Sequence, residues 1–200
     1  MKSEERRISV AKIEIRATDD DDESIGSVEG IAAPFNSLSE DLGGFRERIA
    51  KGAFTDTLRD NDQAAFWSHD QSIVLGKRSA DTLSLRETDD GLKFSLKLPD
   101  TQAGRDAKVS ITRGDVTQMS FGFAVDHRED SPGDEWEMMD DDVVRTLLRV
   151  RLFEVSPVAF PAYPETSVAK RSLDQFIQES QYTGAPIAKR FMRLEVAKRA

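Results

Sequence analysis

The sequence predicts a mainly β fold of the α+β class, an antiparallel sheet or barrel with short helices, in one domain over residues 1–166 followed by a basic tail, 167–200. Three observations predict it. Short strand-like segments recur at close spacing along the chain. Asp89-Asp90-Gly91, between Leu83–Arg86 and Leu92–Leu98, carries the Asp-Gly pair of a tight hairpin. Only Lys51–Asp60 and Ala103–Arg113 space their apolar residues as helices do.

The elements follow in order. Ile8–Arg16 alternates apolar and polar residues with one slip and reads as one strand; Asp19–Glu23 interrupts it as a run of like charge that holds a connection open. Val28–Phe35 resumes an extended pattern ended by Pro34, and Ser37–Gly44 reads as loop. Lys51–Asp60 places Ala53, Phe54, Thr57 and Leu58 at helical spacing. Ala64–Asp70 is an apolar strand ending at His69, and Ile73–Gly76, Leu83–Arg86 and Leu92–Leu98 are further short strands. Ala103–Arg113 is a helix with Ala107, Val109 or Ser110, and Ile111 on its apolar face, stopped by Gly114. Gln118–Val125 is a strand, and Val143–Val158 contains another long one. Asp126–Asp142, acidic and holding Pro132 and Gly133, is an excursion or wide hairpin.

Composition bounds the chemistry. The 200 residues contain no cysteine, which removes disulfides, thiolate zinc sites and cysteine nucleophiles together. Met1–Arg7 is charged and no run approaches the ~20 apolar residues of a membrane span, so neither a signal peptide nor a membrane helix is expected. Seven basic residues against three acidic ones give the stretch 170–200 a charge of +4, which leaves 21 basic and 34 acidic residues upstream, a net of −13. A body so acidic repels a phosphate backbone, so direct nucleic-acid binding by the domain is not expected. The tail could dock on an acidic partner or back onto its own body, or remain solvated. The acids at Asp19–Glu23 and Asp140–Asp142 could hold Mg²⁺ for phosphodiester chemistry, but consecutive loop acids rarely converge, and no metal or other cofactor is expected.

Two strands and one strand end carry the remaining chemistry. In Gln118–Val125 a period of two puts Met119, Phe121, Phe123 and Val125 on one face and Ser120, Gly122 and Ala124 on the other. A lone hydroxyl between two tiny residues suits an accessible nucleophile, and equally a tightly packed wall. In Leu148–Pro157, alternation aligns Leu148, Val150 and Leu152 with Glu154, a carboxylate at an apolar position that needs a partner. Arg149 and Arg151 fall on the opposite face, but an imidazole would serve. Of the two histidines, His69 ends an apolar strand and could be a rigid base or a satisfied buried side chain. His127 lies seven residues after Ser120, about 23 Å along an extended strand, and reads as a surface residue. His69, Ser120 and Glu154 together have the composition of a serine hydrolase triad: a hydroxyl needs a base to take its proton, and the base needs its tautomer fixed.

Phe66-Trp67-Ser68-His69-Asp70 with Leu75-Gly76-Lys77, then Arg113-Gly114 leading into Met119-Ser120-Phe121-Gly122-Phe123, then Leu152–Val158 ending at Pro161-Ala162, resemble the prohead maturation proteases of tailed bacteriophages, in order and spacing, across about 29–166. The resemblance implies a small closed antiparallel β-barrel flanked by helices, like the herpesvirus assemblins. It implies a serine endopeptidase acting inside the immature capsid, in the host cytoplasm, to remove scaffolding segments from the major capsid protein. His69 would be the base, Ser120 the nucleophile and Glu154 the third member, with backbone N–H groups around Arg113 and Gly114 as first candidates for the oxyanion hole. Self-cleavage near the tail and pairing of two copies are open under this reading. The alternative is a non-catalytic assembly or scaffolding factor that binds the capsid protein.

Overall fold

A computed structural model describes residues 4–9, 13–16, 24–140, 142–159, 173–174 and 176–178. The class is mixed α+β, as expected, and strands dominate. Twelve strands are present among the described residues: β1 (Glu5–Ser9), β2 (Glu14–Arg16), β3 (Ser24–Pro34), β4 (Arg46–Ile49), β5 (Ala64–Trp67), β6 (Asp70–Lys77), β7 (Leu83–Glu87), β8 (Gly91–Pro99), β9 (Gln118–Val125), β10 (Asp134–Met139), β11 (Asp142–Leu147) and β12 (Val150–Val158). Two α-helices, α1 (Thr55–Asp60) and α2 (Gln102–Arg113), and a 3₁₀ turn at Arg78–Ala80 complete them.

The strands form three sheets, ordered β1-β9-β12-β5-β6, β2-β3-β8-β7 and β10-β11-β4, and these do not close into a barrel. Nor is pairing wholly antiparallel. β4 runs parallel to β11, and β5 runs parallel to β12. The cause is connectivity: β4 leads through α1 to β5 while β11 leads through two residues to β12, so two consecutive strand pairs lie side by side in the same direction.

Most elements sit where composition places them, and the departures have local causes. The expected strand 8–16 is two strands in different sheets, with 10–12 outside the described residues. The long strand expected within 143–158 is β12, and β11 precedes it across 148–149. The acidic excursion contains β10, which pairs antiparallel with β11. Gly91 closes the β7–β8 hairpin with its carbonyl accepting from Thr88 N at 2.8 Å, and at φ 155° a Cβ there would lie 2.3 Å from the Ala33 carbonyl oxygen. α2 begins where the Thr101 hydroxyl accepts from Gly104 N at 3.2 Å and ends at Gly114, left-handed at φ 80°. Ala107 and Ile111 face the core, whereas Val109 is 55% exposed and does not. None of the described helices is long and apolar enough to cross a membrane. The runs Asp19–Glu23 and most of 167–200 lie outside the described residues; among those described, no cluster of acids and histidines could hold a metal ion.

The main core is built on aromatic contacts running from Phe35 to Phe54, to Phe121 and to Phe123, with ring centroids 6.2, 6.0 and 5.3 Å apart. A second cluster joins Phe45, Val143 and Trp136 to Leu173 and Phe176, which belong to the start of the tail.

Between the clusters lies a buried ionic network. Arg145 of β11, 1% exposed, donates to Glu5 of β1 at 2.8 Å, to Glu47 of β4 at 3.1 Å and to Asp134 of β10 at 2.7 Å. Arg7 of β1 adds bonds to Glu47 at 2.8 Å and Glu5 at 2.9 Å. Burial pulls the Arg145 guanidinium down, but Glu47, Glu5 and Asp134 together outweigh it and hold the group above its ordinary value. The network therefore ties β1 of one sheet to all three strands of another. Replacing Arg145 with Met leaves Glu5 and Glu47 facing Arg7 alone and takes the guanidinium from Asp134, and should lower the unfolding free energy by about 3–5 kcal/mol in guanidinium titrations. A loss below ~1 kcal/mol would show that the network contributes little.

Candidate active site

The candidate residues converge on one face of the five-stranded sheet. β9 and β12 pair antiparallel with Ser156 opposite Ser120 and Glu154 opposite Gly122. Residues directly opposite share a face, with Cβ atoms about 5 Å apart. On the other side of the same ladder Val150, Leu152, Val155 and Pro157 oppose Val125, Phe123, Phe121 and Met119. Each strand thus has an apolar side in the core and a small, polar side at the site.

Simple alternation had placed Glu154 beside Leu152, and that placement is wrong. The register slips between Leu152 and Glu154, so a bulge at Phe153 inserts one extra residue and turns the rest of the strand over. Glu154 is buried, but on the face opposite Leu152. Its two oxygens are both engaged: Oε1 is 2.7 Å from His69 Nδ1, and Oε2 accepts from the Ser156 hydroxyl at 2.5 Å. An ionised carboxylate only accepts, so Nδ1–H is the donor in this contact, and in the neutral ring that leaves the lone pair on Nε2. That Nε2 is buried and has no hydrogen-bond partner.

His69 reaches this position from a turn that its sequence does not advertise. Trp67 and Asp70 pair across β5 and β6, leaving Ser68 and His69 as the two linking residues, at φ 50° and 65°. Consecutive left-handed residues are the signature of hairpin turns normally made by Asn-Gly or Gly-Gly. Here β12 holds the turn: Ser68 N donates to the Pro157 carbonyl and His69 N to the Ser156 hydroxyl, both at 3.2 Å.

Ser120 lies on the same face but its hydroxyl does not join the pair. It donates to the Arg7 carbonyl oxygen of β1 at 3.0 Å, and the side chain is fully buried. Of the two readings of this face the packed one holds, since Gly122 and Ala124 are buried too. A Cβ at Gly122 would lie 2.6 Å from Glu154 Oε1 and 2.9 Å from Glu4 Oε1, so glycine is there to admit both carboxylates.

Other expectations fall elsewhere. His127, its side chain 58% exposed, accepts from Gly133 N and lies 3.7 Å from Asp134. The Gly114 N–H donates to the Ile111 carbonyl at 3.1 Å as a helix cap and so is not free for an oxyanion. Ser156 is a residue that sequence reasoning missed. Alternation along 148–157 already puts it in phase with Glu154, but a lone serine there carries no mark of the bonds it makes.

A family model described as caudovirus prohead serine protease matches residues 11–179, most of the chain, including the acidic excursion and the start of the tail. No curated protein and no solved structure gives a significant match. The chain belongs to the caudovirus prohead serine protease family, and is by that membership a serine peptidase with a role in capsid maturation.

The contact at Gly122 yields a direct test of the site's packing. Gly122→Ala should push the Glu154 carboxylate away from His69 and lower stability by about 1–3 kcal/mol in denaturant titrations, as overpacking does. A wild-type midpoint, with Glu154 unmoved in a crystal structure of the variant, would contradict this.

Proposed function

We propose that this prohead protease cleaves scaffolding segments from the major capsid protein of its phage by way of Ser120 as nucleophile, His69 as general base and Glu154 as the group that orients the base. The observation that carries the proposal is the bare Nε2 of His69, kept as an acceptor by the Glu154 bond to Nδ1 and lying on the sheet face that also bears Ser120.

In the reaction the Ser120 hydroxyl turns from the Arg7 carbonyl toward Nε2 and attacks the scissile carbonyl while Nε2 takes its proton. The imidazolium so formed is stabilised by Glu154 through Nδ1–H, then returns the proton to the leaving amine as the C–N bond breaks. Water, deprotonated by the same nitrogen, hydrolyses the acyl-enzyme and frees Ser120. Exchanging one neutral acceptor for another costs the hydroxyl little, on the order of 1 kcal/mol. The larger demand is access, because Glu4 stands over Gly122 on this face and the Arg7 carbonyl holds the Ser120 hydroxyl, and substrate must displace both contacts. Self-cleavage within the tail, action inside the prohead in the host cytoplasm, and pairing of two copies are consistent with this reading and belong to it as proposals.

Incubation with the capsid protein, read by intact mass, tests the assignment. Ser120→Ala should abolish cleavage of the capsid protein and any truncation of the stored protease, and Glu154→Gln should lower kcat by up to ~10⁴-fold. Identical fragment masses from wild type and Ser120→Ala would end the assignment of Ser120, and absence of fragments from both would favour the assembly-factor reading. A second outcome concerns pH. The base must be neutral to accept a proton, so initial rates should fall on acidification as the imidazole charges. Rates that stay flat down to about pH 4.5 would exclude an imidazole base.

A further inference from the structure

We infer that Ser156 is a positioning residue for the site, whose hydroxyl fixes both the carboxylate of Glu154 and the backbone of His69. The inference rests on the reading of His69 and Glu154 as base and orienting acid, and adds a fourth member to that arrangement.

The geometry is specific. The Ser156 hydroxyl donates its one hydrogen to Glu154 Oε2 at 2.5 Å and accepts from the backbone N–H of His69 at 3.2 Å. A single oxygen thus touches two of the groups on which proton transfer depends, from a fully buried place on a central strand. Glu154 needs it because a carboxylate held by one donor can pivot about its Cγ–Cδ bond. With Oε2 anchored, Oε1 is left facing Nδ1. His69 needs it because its left-handed backbone, φ 65°, is unfavourable for a residue with a Cβ and persists only where surrounding bonds impose it. The neighbouring N–H of Ser68 is likewise held by β12, through the Pro157 carbonyl. Position 156 is also directly opposite Ser120 in the ladder, so one cross-strand pair sets the separation between the hydroxyl to be activated and the pair that activates it. Ser156 is not itself a second nucleophile in this arrangement. Its hydrogen is committed to Glu154, and the acceptor nitrogen lies on the far side of the ring from the anchored edge.

Only two histidines are present, so ring signals in a histidine-labelled sample are readily assigned. In the Ser120→Ala background, which removes the proposed nucleophile, Ser156→Ala should speed solvent exchange of the His69 Nδ1–H at least tenfold and move its resonance upfield, as Glu154→Gln should. In the active background the same substitution should lower kcat about 10- to 100-fold with KM within twofold, and Ser156→Thr, which keeps the hydroxyl, should recover most of that loss. A wild-type Nδ1–H signal together with unchanged kcat overturns the inference. So does a loss of kcat with an unmoved ring signal, which a merely structural role would give. If Ser156→Ala does not fold, Ser156→Cys, of the same shape but with a poor donor, is measured in the same way, and failure of both to fold assigns Ser156 to the core and overturns the inference as well. Should Ser120→Ala still cleave the capsid protein, the nucleophile assignment fails while the ring signal continues to decide the role of Ser156.

Discussion

Everything at the site depends on the antiparallel pairing of β9 with β12 and on the single extra residue that this pairing contains. Upstream of Phe153 the strand places Val150 and Leu152 in the core; downstream it places Val155 and Pro157 there. Without the bulge the second half would present Glu154 and Ser156 to the aromatic core and Val155 to the site. Burying that carboxylate among Phe121 and Phe123 without donors would cost several kcal/mol, so the register is enforced from both sides of the sheet. The bulge is therefore what allows one strand to finish a hydrophobic core and supply two polar groups to a reaction centre.

A second constraint acts through β1. Its backbone pairs with β9, its Arg7 carbonyl holds the Ser120 hydroxyl, and its side chains Glu5 and Arg7 enter the ionic network with Glu47 and Arg145. Buried charges of this kind are a poor source of net stability but are intolerant of partial loss. They fix where β1 lies, and so fix what flanks the strand that bears Ser120. The network and the site are thus mechanically joined: any movement of β1 that uncovers Ser120 must also disturb bonds made by Arg7 and Glu5.

Much of the fold was legible in the sequence because most strands obey simple rules. Gln118–Val125 has its bounds and its two faces written in its alternation, the β7–β8 turn is marked by Asp-Gly, and α2 is stopped by Gly114. The strand pairing was not legible, and the expected closed antiparallel barrel does not form among the described residues: which strands pair is decided by contacts between distant segments, and two of the pairs are parallel. Nor was the burial of Ser120, which depends on β1 lying more than a hundred residues away. For the site, residue types were informative where geometry was not. A carboxylate amid apolar residues pointed to an imidazole partner, and Glu154 does bond His69, although the alternation used to place it fails at Phe153. Ser156 escaped notice although it is in phase with Glu154, because its bond to the His69 N–H spans 87 residues.

The turn at Ser68-His69 shows why such a site resists sequence rules. Local preference calls for Asn-Gly or Gly-Gly at two consecutive left-handed positions, and the chain has serine and histidine instead. Each left-handed residue costs roughly 1–2 kcal/mol, and nothing within the hairpin repays it. The compensation comes from β12, which accepts both N–H groups and, through Glu154, the ring as well. A glycine in the turn would relieve the strain but remove the imidazole, and an unstrained histidine further along β6 would face away from Glu154 or lie too far from it. The conformational cost is accordingly the consequence of carrying an imidazole at the one place where a two-residue link brings it over the strand that bears the acid.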